Sequence, residues 1–274
     1  MIYVWGTAAR VGARILLRME DHDRNRCRPE YEQAILEDLA WLGFQADNEL
    51  AGNNRQSESE AVYIDALGRL RREHEVYRCT CSRRRIAEHS PLGAEGERRY
   101  GGYCRYKQRP ANEAHGLRVA IEPGGEQFHD LVLGEQEQRP ADQCGDLLLR
   151  DRQGNWTYQL AVVADDLRHG VNLVIRGEDL LPSTGRQIRL ARMLGRQRPA
   201  KFCHHPLIRD PKGEKLSKKS ASGPIRELRR TGVSAEETIG KAAFAVGLIG
   251  VERALSVEEA TALCADLDYS PRNV

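Results

Sequence analysis

Three groups of residues in this 274-residue chain have the types and spacing to do chemistry. The segment HHPLIRDPKGEKLSKKS sets Lys215, Lys218 and Lys219 around Ser217, directly after a strand-like HHPLI and a Pro-Lys-Gly turn. Lysines at that density usually mark a solvated face, and the alternative is a loop that contacts phosphate. Two residues, Glu20 in LLRME and Arg176 in NLVIRG, each close an apolar run. A carboxylate at the carboxyl end of a buried strand suits a substrate ammonium, or an ion pair with Arg18, Arg24 or Arg26. A guanidinium there offers a planar fork to a carboxylate, which lysine cannot copy. The third group is C-x-C at Cys79 and Cys81, followed by Y-x-x-x-C at Tyr100 and Cys104. Its surroundings hold too few apolar residues to fold unaided, which calls for a metal staple, with Tyr103 and His89 as rivals to Tyr100 for a fourth ligand.

Five motifs stand in fixed order: LLRMEDHDRNRCRPEY, the Cys/Tyr group, YQLAVVADD, VIRGEDLLPSTGRQI and KLSKK. Together they resemble the class I aminoacyl-tRNA synthetases of the glutamyl type, and within them the short branch that glutamylates queuosine. The resemblance runs from Tyr3 to about Val251. It implies that Glu20, Tyr158 and Arg176 hold glutamate, Glu20 on its amino group and Arg176 on its carboxylate side. It implies that Lys215, Ser217 and Lys218 bind ATP with Mg²⁺, Lys218 being the catalytic residue that meets the charge on the leaving phosphates. It further implies that Cys79, Cys81, Tyr100 and Cys104 carry one structural Zn²⁺. The implied reaction forms a glutamyl-adenylate and passes L-glutamate to queuosine in the anticodon of tRNA(Asp). Two other readings share these motifs: a fragment of a glutamyl-tRNA synthetase acting on tRNA(Glu), and a non-catalytic tRNA-binding remnant.

The elements that must position these residues follow from periodicity. Val4, Ala8 and Val11 share a face of a helix that Gly12 stops, and Ala13 to Glu20 reads as a buried parallel strand. Pro29 opens a helix that ends at Gly43, and 57–73 reads as another. LRVAI, HDLVLG and GDLLLR read as strands, WTYQLAVVADDLRHG as strand into helix, NLVIRG as a buried strand, and STGRQIRLARMLG as a capped helix. His204 and His205 read as packing or supporting residues, because neighbours on a strand face opposite ways.

This alternation predicts an α/β, Rossmann-like parallel sheet. The expected divisions are 1–75 and 151–223 for the catalytic fold, 76–110 for the metal module, 111–150 for inserted strands and 224–274 for a helical tail. The resemblance also leads us to expect an amino-terminally truncated form, lacking the sheet's first strand and the HIGH-like signature before Met1.

Composition agrees with a globular protein and not a disordered one: 40% apolar, 30% charged, net charge +2. Seven cysteines in an odd, scattered set argue for thiols and a metal site rather than disulfides. No apolar run approaches a membrane span, so a cytoplasmic protein is expected; a monomer is the separate expectation for its assembly. The basic stretch Arg83 to Arg109 and the lysine loop are expected tRNA contacts. No G-x-S-x-G turn, P-loop or G-x-G-x-x-G fingerprint occurs, which disfavours a hydrolase.

Overall fold

A mixed four-stranded sheet carries Arg176 and the two histidines. The structure is a computed structural model that describes residues 1–22, 27–47, 54–93, 96–107, 113–208 and 225–265. Helices α1 (Ile2–Val11), α2 (Pro29–Leu42) and α3 (Glu60–Glu73) come first in the chain. Gly12 and Gly43 close the first two in the left-handed conformation at φ 63° and 80°, which only glycine adopts without cost. Strand β1 (Val76–Cys79) and helix α4 (Arg83–His89) follow, then β2 (Gly116–Val119), β3 (Glu126–Asp130), β4 (Gly134–Gln138), α5 (Pro140–Gln143) and β5 (Leu147–Arg150). The site-bearing half runs α6 (Tyr158–Arg168), β6 (Leu173–Gly177), α7 (Thr184–Met193) and β7 (Lys201–His205). Helices α8 (Ile225–Arg230), α9 (Ala235–Ala245) and α10 (Val257–Ala265) complete the described chain.

Two sheets result, with orders β4-β3-β7-β6 and β1-β2-β5. In the first, β3, β7 and β6 are parallel while β4 returns antiparallel from β3 through a short hairpin. The second is antiparallel throughout. The expectation of a wholly parallel sheet is therefore corrected. A hairpin needs only a short turn, whereas a parallel neighbour needs a crossover, and Val132-Leu133 after Asp130 supplies the turn.

The expected strand at 13–20 is also corrected. That segment makes only one parallel bridge, Met19 with Arg55, and Ile15 exchanges bonds with the backbone and side chain of Asp47 instead. A ladder needs a continuous partner, and among the described residues none lies alongside; Leu16 stays exposed. WTYQL, expected to begin as a strand, puts Tyr158 on the first turn of α6, with Trp156 in a lone bridge to Arg150. Ser183, expected to cap α7, makes no capping bond, because a 3₁₀ turn over Glu178–Ser183 precedes the helix.

One apolar cluster joins α3, α6 and α7 to β2 and β5, with Leu70, Leu149, Leu160 and Leu190 wholly buried. A second packs α1 against α9 and α10. A third, Phe128, Ile188, Ala200 and Phe202, lies under the mixed sheet and backs the site. Among the described residues no helix is long and apolar enough to cross a membrane.

Candidate active site and cysteine cluster

Arg176 pairs with His204 across adjacent parallel strands, one residue before the carboxyl end of each. Such strand ends are where open sheets present their functional groups. Its guanidinium donates from Nε to His204 Nε2 at 3.1 Å, to Gln187 Oε1 at 2.7 Å and to Thr184 Oγ1 at 2.8 Å. Helix α7 thus supplies two acceptors one turn apart. Three of five guanidinium donors are engaged in this way, which leaves two for a ligand or for Tyr158.

The cradle is itself held. A guanidinium can only donate, so His204 Nε2 accepts and the ring proton sits on Nδ1, 2.6 Å from Asp130 Oδ2. Asp130 and His204 are both buried, at 0% and 1% exposure, so neither can exchange its partner for water. Burial pushes the Asp130 carboxyl up, but the His204 bond and the amides of Leu133 and Val132 outweigh it and hold the group below its ordinary 3.8. Gln187 is fixed in turn by Gln159 on α6, and Gln159 by Ser183.

Tyr158 faces the same space. Burial raises its phenol and nearby Glu20 adds to that, while Arg176 and Gln187 oppose it. Burial lowers Arg176, against the pull of Tyr158. Tyr158 thus lies within electrostatic reach of both Glu20 and Arg176. Glu20 accepts from Arg18 at 3.0 Å, and Arg18 also bonds Asp166 at 2.7 Å, so the ion pair foreseen from the sequence is present. The Glu20 side chain is nevertheless 43% exposed and can meet a second cation. Lys215, Ser217 and Lys218 lie outside the described residues.

The Cys79, Cys81 and Cys104 sulfurs converge within 4.8 Å of one another, all buried. Cys81 Sγ and Cys104 Sγ are 3.7 Å apart, close to the roughly 3.8 Å that two thiolates on one tetrahedral metal at about 2.3 Å would span. Tyr100 Oη lies 3.2 Å from Cys79 Sγ and 3.9 Å from Cys81 Sγ. Of its rivals, Tyr103 spends its hydroxyl on the His89 carbonyl, and His89 is exposed with Nδ1 on the Arg85 carbonyl. The donor set fits a tetrahedral cation. None of the seven cysteines forms a disulfide.

The family model for tRNA synthetases class I (E and Q), catalytic domain, matches residues 1–256. The chain belongs to that family. It is 40% identical to the glutamyl-Q tRNA(Asp) synthetase of Symbiobacterium thermophilum, an alignment covering 94% of this chain and 84% of the relative. The protein of the same name from Nitratidesulfovibrio vulgaris is 38% identical over 89% of this chain and 80% of its own. The glutamate-tRNA synthetase from Elizabethkingia anophelis superposes with a TM-score of 0.76 at 22% identity, over 98% of this chain and 63% of that one. The last likeness bears on the fold alone.

Within this class I synthetase fold the sequence reading missed what holds Arg176. Asp130, Thr184, Gln187 and Gln159 were not singled out, and His204 was placed only as a supporting residue. The available signal was the polar run STGRQ opening α7; HDLVLG, read as one strand, in fact holds the end of β3 at Asp130 and the turn that follows it. What could not be read was that β3 lies next to β7 and delivers Asp130 to His204.

Proposed function

We propose that this chain uses ATP and Mg²⁺ to activate L-glutamate and transfers it to queuosine in the anticodon of tRNA(Asp). The observation that carries the reading is Tyr158 within electrostatic reach of both Glu20 and the cradled Arg176, beside relatives of that name over most of both chains. An amino acid presents one cation and one anion at fixed separation, and this pocket presents one carboxylate with exposed surface and one guanidinium with spare donors. In the proposed site Glu20 takes the ammonium, Arg176 binds the carboxylate side of the substrate and Tyr158 packs between them.

A glutamate carboxylate oxygen attacks the α-phosphorus of ATP, and the bond to the bridging oxygen breaks to release pyrophosphate. Lys218, with Lys215 and Ser217 beside it, stabilises the charge that grows on the leaving phosphates. A queuosine hydroxyl oxygen then bonds the glutamyl carbonyl carbon, AMP departs and the hydroxyl proton passes to solvent. Cys79, Cys81, Cys104 and Tyr100 hold one Zn²⁺, which staples the 76–107 module. The basic stretch Arg83 to Arg109 and the lysine segment contact the tRNA backbone.

The test is incorporation of labelled glutamate into tRNA(Asp) with and without queuosine. ATP-dependent labelling that requires queuosine, and that prior periodate cleavage of its diol abolishes, is expected. Labelling of a tRNA 3′ end, or none despite added tRNA(Asp) and ATP, defeats the proposal.

A further inference from the structure

A cleft lies beside the amino-acid pocket. It encloses about 300 Å³, and its wall includes His22, Ser57, Glu60, Arg150, Asn155 and Trp156. That is the lower end of the size range for small-molecule sites. None of its lining residues lies on β6, β7 or α7, the elements around Arg176 that lead to the lysine segment. The two spaces nonetheless share a wall, because the His22 ring centroid is 6.5 Å from that of Tyr158.

A buried chain of bonds fixes how His22 is protonated. Asp165, at 0% exposure, can only accept, so Gln56 turns its amide nitrogen to it at 3.0 Å. That orientation presents Gln56 Oε1 to His22 Nδ1 at 2.6 Å, and an amide oxygen can only accept. Neutral His22 therefore carries its proton on Nδ1 and leaves Nε2 as a lone pair, which has no bond partner among the described residues. Gln56 is itself buried, at 1% exposure, and Tyr63 and Arg168 complete the Asp165 carboxylate, so this tautomer is built in. Around the cleft stand a carboxylate, a guanidinium and an indole. Glu60 accepts from Trp156 Nε1 at 2.8 Å, and Arg150 lies 4.8 Å over the Trp156 ring.

We propose that this cleft is the acceptor-nucleoside subsite, taking the hydroxylated ring of the nucleoside with one hydroxyl donating to His22 Nε2. The inference rests on the proposed transfer reaction. A polar ring bearing hydroxyls matches a wall of mixed donors and acceptors better than an apolar ligand does. Docked there, its hydroxyl comes to the Tyr158 side of the cleft, where an activated glutamate would present its carbonyl.

The test is titration of free queuosine nucleoside against the full chain by ligand-observed NMR, with guanosine, which has the ribose but lacks the cyclopentenediol, as comparator. Queuosine is expected to bind about tenfold tighter than guanosine. His22→Ala should lose most of that preference, and His22→Gln, which restores an acceptor, should keep affinity within about threefold. Glu60→Gln, at a rim position whose side chain is 48% exposed, tests the same cleft without a buried change, and should weaken queuosine about threefold. Equal affinity for the two nucleosides, or unaltered queuosine binding in both His22→Ala and Glu60→Gln, overturns the subsite. Glutamate-dependent pyrophosphate exchange reports separately on activation: its absence defeats the proposed function, while nucleoside binding still decides the cleft.

Discussion

The Arg176 cradle and the cysteine cluster are both buried and polar, yet they balance charge in opposite ways. Around Arg176 a cation meets three neutral acceptors, and a carboxylate behind His204 orients the ring that receives Nε–H. Every engaged atom has its partner before any substrate arrives. In the cysteine cluster the sulfurs and a phenol face one another. Burial and nearby Cys79 push the Cys81 thiol up to about 11, and burial with the Cys79 bond drives Tyr100 upward too. The Arg118 guanidinium lies over the face of the Tyr100 ring, 3.8 Å from its centroid. The first site is therefore preorganised by the chain itself, and the second is organised to receive a cation.

The sharpest way to break that contrast is to remove the cation. If the cluster depends on metal, a strong chelator or Cys104→Ser should cost the 76–107 module about its whole folding free energy, since structural metal binding is folding free energy in such modules. The measurement is metal content alongside limited proteolysis. The unmodified chain should carry about one Zn²⁺, and the variant should lose it and be cut between β1 and β2. Identical proteolysis of metal-loaded, chelated and variant chains would place this cluster with the self-sufficient cradle and end the contrast.

A smaller effect is expected in the cradle. His204→Ala removes the acceptor for Nε–H and leaves Asp130 without its ring donor, inside a site no water reaches. A hydrogen bond to a charged group contributes about 1.5–3 kcal/mol, so the glutamate KM in pyrophosphate exchange should rise roughly 10- to 100-fold. The KM for ATP should move by less than about threefold, because none of these residues is placed on the nucleotide. Equal rises in both constants would mean that His204 supports the fold and does not position Arg176.

The two regions also differ in how far the sequence disclosed them. The convergence of the three cysteines was legible because they lie within one short stretch of chain. Only the fourth ligand stayed open, and the positions of Tyr103 and His89 favour Tyr100. Helix limits at Gly12, Gly43 and Pro29 were legible for the same local reason. Glu20, Tyr158 and Arg176 could be named from motifs and strand ends, but their cradle could not. It is assembled from β3, β6, β7 and α7, residues 130 to 204, by a sheet order that no single-chain periodicity encodes. The segment at 13–20 misled for the converse reason. Its apolar pattern suits a strand, but a strand exists only through a partner's backbone.

The finest test of the cradle is Asp130→Asn, which keeps the shape and removes one acceptor. Asp130 Oδ1 receives the amides of Val132 and Leu133, while Oδ2 receives both the amide and Nδ1–H of His204. Asparagine has a single acceptor oxygen, so whichever way it turns, its NH₂ meets donors. Leaving buried donors unsatisfied costs about 1–3 kcal/mol, and at neutral pH the variant should be less stable by that order. The folded-state value of Asp130 lies below its ordinary 3.8, so its contribution is complete above about pH 4 and fades as pH falls through the folded value. The gap between the two chains should accordingly narrow on acidification below about pH 4, as urea melts at stepped pH would show. A gap that stays constant from neutral to acid pH would mean that the carboxylate's charge does nothing for the relay.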